Sequence, residues 1–131
     1  MKNELALYCL YAGGLLHVGW GLFHLAFPRL FKWDQTLAPL NPVNRSIMLV
    51  MNLCLAFVFI TYGYLSVVFA PEMLTTALGR KLIGALAAFW LLRLGLQFKF
   101  FRTLHPASLA LILCQALTMG VYAYPLLHGA A

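Results

Sequence analysis

The chain has 131 residues, of which 63% are hydrophobic and only 9% charged. A soluble domain of this length has too much surface to hide so much apolar mass, so the bilayer is its natural solvent. The net charge of +6 sets nine Lys and Arg against Glu4, Asp34 and Glu72. Because the basic residues mostly flank apolar runs, anionic lipid headgroups explain them and nucleic acid is excluded as the partner.

The first apolar run, about 5–27, follows Met1-Lys2-Asn3-Glu4. It is longer than a signal-peptide core and has no convincing small-residue cleavage site, so it is expected to remain as a membrane helix. Punctuation then falls at Pro28, at 39–45, at 71–81 and at 102–106, leaving three further apolar runs at about 46–70, 81–101 and 107–127. Each run has roughly the 20 residues needed to cross the hydrocarbon core as a helix. The alternating pattern of a membrane barrel is missing. The expected fold is an all-α integral membrane protein, a single four-helix domain over 1–131 with up-down-up-down topology. In size and layout it resembles small bacterial inner-membrane proteins such as the DoxX-like group, a likeness of architecture that carries over no site and no activity.

The first loop, Pro28-Arg29-Leu30-Phe31-Lys32-Trp33-Asp34-Gln35, mixes aromatic and basic residues. It suits the membrane interface as an anchor, or as a lid over a site beneath it. Loops one and three carry Arg29, Lys32, Arg45, Lys99 and Arg102, against Lys2, Arg80 and Lys81 on the other side. The excess places loops one and three in the cytoplasm of a bacterial inner membrane. Cys9, Cys54 and Cys114 each lie in an apolar stretch and form no CxxC pair, which suits small reduced packing residues.

Arg93 stands out. It lies inside the greasy third run, where a cation costs roughly +2.5 to +3.5 kcal/mol on insertion scales. No Asp or Glu lies in any apolar run to neutralise it. Reckoned from the end that carries loops one and three, His24 is four residues from Pro28 and His17 eleven. Asn52 is seven beyond Arg45, Gln97 and Arg93 precede Arg102 by five and nine, and Gln115 follows Pro106 by nine. At about 1.5 Å per residue all lie within roughly 6–17 Å of that end. His17 and His24 share a helix face with Gly13 and Gly21, and Arg93 and Gln97 are neighbours one turn apart. If these stripes face inward, six polar residues surround one cavity, with Trp20 and Phe89 on its apolar part.

An Arg without an acid offers a planar fork of donors for a carboxylate, phosphate or carbonyl. The expected function is binding of a small amphiphilic or lipid-like molecule, with Arg93 on its head and Gln97, Asn52 and Gln115 orienting it. His17 and His24 would supply hydrogen bonds or acid–base catalysis, so enzymatic activity stays open. The bland readings are that Arg93 snorkels to the headgroups and that the amides and histidines are interhelical glue. Gly84 and Ala88, and Ala116 and Gly120, suit packing within the bundle or between protomers of a homo-oligomer.

No cofactor is expected and no metal motif such as HExxH or CxxCH occurs. The alternative is haem b on His17 or His24 in a membrane enzyme or redox subunit. One haem could not use both, because seven residues displace them by about 10 Å along the helix. A further alternative is a non-catalytic accessory subunit of a larger membrane complex. A proton-coupled carrier is disfavoured for want of an intramembrane carboxylate.

Overall fold

The computed structural model describes residues 2–101 and 105–129, so Arg102, counted above for orientation, lies outside the described residues. It is an all-α bundle in which α1 (Lys2–Leu30), α3 (Pro42–Val68), α5 (Ala77–Phe100) and α6 (Pro106–His128) are the long helices. All four are long and apolar enough to cross a membrane, which makes the chain a multi-pass integral membrane protein. Two short helices lie in the connections, α2 (Trp33–Thr36) and α4 (Ala70–Thr75).

Local chemistry sets the helix starts. Asn41 caps α3 by accepting from the Asn44 N–H at 2.8 Å, with Pro42 in the first turn. Thr76 caps α5 by accepting from the Gly79 N–H at 3.0 Å, and its own hydroxyl donates to the Glu72 carbonyl at 2.8 Å. One side chain thus ends α4 and begins α5, and the stretch 71–81, expected as a loop, is largely helical. The His105 Nδ1 accepts from the Ala107 N–H at 3.3 Å at the start of α6.

Pro28 does not end the first helix; α1 runs through it to Leu30. The chain then reverses at Lys32, which adopts the left-handed backbone conformation with φ 48°. That reversal folds α2 back under α1, so that Trp33 meets Phe27 with ring centroids 6.1 Å apart.

Around the bundle, α1 packs against both α3 and α6, α6 against α5, and α4 against α5. The α1–α3 seam is the tightest. A Cβ on Gly63 would stand 2.7 Å from Val18 Cγ2 and 2.8 Å from the Gly14 carbonyl oxygen. Glycine is required there because the two backbones are nearly in contact. α3 and α5 meet through large side chains instead, with Phe59 stacked on Trp90 at 5.6 Å between centroids. Gly84 faces Leu126 across the α5–α6 seam, whereas Gly120 is exposed.

Candidate functional site

His17 sits at the centre of the bundle, with 0% of its surface exposed. The Trp90 indole N–H donates to its Nε2 at 3.2 Å. An indole only donates, so Nε2 carries a lone pair and the ring proton resides on Nδ1. Nδ1 in turn lies 3.0 Å from the Gly13 carbonyl and 3.0 Å from the Tyr122 hydroxyl. That hydroxyl pairs with Ser66 at 2.8 Å. One imidazole therefore ties together α1, α3, α5 and α6, and both of its nitrogens are engaged.

Above this node, toward the end that carries loops one and three, lies a cavity of about 230 Å³. All three tryptophans of the chain, Trp20, Trp33 and Trp90, line it. Phe59 and Phe89 complete the wall, and Phe31, Trp33 and Phe101 come from the helix connections at that end. The first loop thus contributes its aromatic side chains to the cavity, as a lid would. The polar residues of the lining are His24, Arg93 and Gln115.

Arg93 is half-buried, and among the described residues its contacts are with neutral groups. One guanidinium N–H donates to Gln97 Oε1 at 2.9 Å, and the carbon of the guanidinium stands 5.5 Å from the Phe101 ring centroid. Gln97 is fully buried, and its amide N–H donates to Ser108 at 2.9 Å. The donor-only guanidinium fixes the direction of this chain: Gln97 must present oxygen to Arg93. The Gln115 amide approaches the same oxygen with its N–H, at a long 3.5 Å. Gln115 is 1% exposed, and its own Oε1 has no hydrogen-bond partner among the described residues. A buried acceptor left in this state is costly, about 1–3 kcal/mol.

His24 is held by Asn52 through two hydrogen bonds. The Asn52 amide N–H donates to the His24 backbone carbonyl at 2.9 Å, and Asn52 Oδ1 lies 2.9 Å from His24 Nδ1. The first bond exists because of Pro28. A proline four residues on has no N–H to return to that carbonyl, so the carbonyl is left for another donor. The carbonyl then dictates the amide orientation, which places Oδ1 at the ring and the proton on Nδ1. In the neutral ring Nε2 is an acceptor, and it has no protein partner among the described residues.

Of the residues singled out from the sequence, His24, Arg93, Gln115, Trp20 and Phe89 line the cavity. Gln97 and Asn52 stand behind it, each bonded to a residue that lines it. His17 is separate from the cavity, although its partner Trp90 belongs to both. Its engaged nitrogens offer nothing to a metal, so among the two inner histidines only His24 Nε2 is free to act as a ligand. Sequence reasoning missed Trp90. The signal for Trp90 was its position three residues before Arg93, on the same helix face.

Comparison of the chain with protein-family models, with curated proteins and with solved structures finds no match. The class of protein is therefore set by fold and site: a four-helix multi-pass membrane protein with an aromatic cavity at one end of the bundle.

Proposed function

We propose that the protein binds a small amphiphilic, lipid-like molecule whose oxygen-bearing head occupies the aromatic cavity. The observation that carries this reading is the mismatch on the cavity wall. Among the described residues Arg93 is a cation with no acid beside it, and Gln115 Oε1 is a buried acceptor with no donor. A head that accepts from the guanidinium and donates to Gln115 Oε1 satisfies both at once. A hydroxyl beside a carbonyl has this chemistry, as has a carboxyl group that keeps its proton in the buried site; an apolar ring has none of it. The volume sets the size of the head. A cavity of roughly 150 Å³ accepts benzene, so about 230 Å³ suits one ring or a carboxyl with a few methylenes.

The positively charged rims support placing the ends that carry loops one and three on the cytoplasmic side of a bacterial inner membrane. Among the described residues Arg29, Lys32, Arg45 and Lys99 lie at that end, against Lys2, Arg80 and Lys81 at the other. The lipids of that leaflet would then be the source of the ligand.

The tryptophans supply the test. In nanodiscs, a fatty acid brominated near its carboxyl should quench the protein's fluorescence saturably and be displaced by the unbrominated acid. Arg93→Leu should weaken that binding by about tenfold or more, and native mass spectrometry of the wild type should retain a small bound mass. Equal quenching of wild type and Arg93→Leu, with no retained mass, would refute the proposal.

A further inference from the structure

We infer that the tail of this ligand lies in the groove between α1 and α6, so that the cavity is loaded sideways from the bilayer; the inference rests on the head-group reading above. The cavity by itself holds a head and little more, so a chain attached to that head must leave it. Phe31, Trp33 and Phe101 line the cavity at the loop end of the bundle, where a tail would leave into the polar interface and not into the hydrocarbon core. On the α3 side, a Cβ on Gly21 would meet Ile60 at 2.7 Å and the Ala56 carbonyl oxygen at 3.1 Å. One turn nearer the loop, the two hydrogen bonds between His24 and Asn52 stitch the same seam. A shallow groove of about 470 Å³ lies outside that seam around Met51 and Cys54; it shares His24, Phe27, Trp33 and Leu55 with the cavity, but the clamp and the Gly21 contact hold α1 against α3 there.

Among the described residues, one hydrogen bond crosses along this part of the α6 side, from the Trp20 indole N–H to the Thr118 hydroxyl at 3.1 Å. An open apolar groove of about 620 Å³ runs there, and three of its residues, Trp20, Phe23 and Leu111, also line the cavity. Gly19 lies in its floor, and a Cβ added to it would meet nothing within 4 Å. On α6 the groove extends from Leu111 through Cys114 and Leu117 to Val121. Ten residues of helix cover about 15 Å, which is half of a hydrocarbon core about 30 Å thick. A chain lying in the groove therefore has its head near the loop end and its tail toward the midplane. That is the orientation of any lipid in the adjoining leaflet, so the ligand needs only lateral diffusion, with no inversion. The occupant this fits is a single acyl or isoprenoid chain.

The test compares palmitic acid with hexanoic acid, which has the same head and almost no tail, each competing against the head-brominated probe in nanodiscs. Gly19→Phe fills the groove and should weaken palmitic acid by about tenfold while leaving hexanoic acid within about twofold. Gly95→Phe, at a second glycine whose added Cβ meets nothing, and Cys54→Phe, in the α3-side groove, should change neither. A palmitic acid analogue with a diazirine near its methyl end should crosslink to 114–121 of α6. Unchanged palmitic acid binding in Gly19→Phe, or crosslinks confined to α3, would overturn the tail assignment while leaving the head reading in place. Equal loss of both acids in Gly19→Phe would also count against it. Failure of the wild type to bind either acid would remove both readings together.

Discussion

The backbone carbonyl of His24 and the side-chain amide of Asn52 form one half of a two-bond clamp, and that half depends on Pro28. Asn52→Leu should leave the carbonyl without a donor and cost about 1–3 kcal/mol, read as a lower melting temperature in detergent. Pro28→Ala restores a backbone N–H four residues downstream of that carbonyl. The double variant Asn52→Leu/Pro28→Ala should therefore recover part of the loss, and a strictly additive pair would refute the link between the proline and the clamp.

Trp90 donates to His17 and walls the cavity, so it couples the central node to the site. Trp90→Phe keeps an aromatic ring but leaves His17 Nε2 without its donor, at a cost of about 1–3 kcal/mol. A double-mutant cycle with His17→Leu should give a coupling of about 0.5–3 kcal/mol. Zero coupling in thermal or denaturant unfolding would mean that the indole–imidazole bond contributes nothing.

The glycines divide sharply by place. Gly63→Ala puts a methyl 2.8 Å from the Gly14 carbonyl oxygen, so α1 and α3 must move apart, with an expected loss of about 1–3 kcal/mol. Gly95→Ala meets nothing within 4 Å and should be neutral or stabilising by up to about 1 kcal/mol through helix propensity. The melting temperatures of the two variants, measured side by side, check the α1–α3 seam.

Gln115 should show the reverse of the usual penalty for a core substitution, and Arg93 a smaller penalty than its burial suggests. Gln115→Leu removes a buried acceptor that has no partner among the described residues, and Arg93→Leu removes a cation whose contacts there are neutral. Gln115→Leu should melt at or above the wild-type temperature, because the desolvation of an unmatched acceptor is relieved, whereas Arg93→Leu also leaves the buried Gln97 Oε1 with only the long Gln115 contact and should melt below Gln115→Leu. Both should also lose about tenfold or more in affinity for the brominated acid. A large fall in stability would instead assign these residues to structural glue.

The four spans were legible because a helix that crosses a bilayer needs a long apolar run, and composition alone reports that. The polar band near one end was legible for the same reason: Arg93, Gln97, Asn52 and Gln115 interrupt apolar runs at matching depth. Helix ends were less so. Pro28 reads as a stop, yet α1 continues through it because Asn52 satisfies the carbonyl that the ring leaves unpaired. The stretch 71–81 reads as a loop, yet Thr76 joins two helices there by capping one and closing the other.

His17 and His24 show what periodicity cannot resolve. Seven residues apart on one face, they are equivalent in sequence, but Trp90 and Tyr122 seal the first while the second lines the cavity. Which face of α5 and α6 turns inward is fixed by side-chain packing between helices, because every face of these segments is apolar enough to meet lipid. The sequence by itself determined the membrane class, the number of spans and the depth of the polar residues, since transfer from water to hydrocarbon depends on composition. Tertiary structure decided which of those residues share a cavity, which bond one another behind it, and which side of it opens toward the bilayer. Those outcomes depend on helix rotation and close contact, which arise only once the helices have packed.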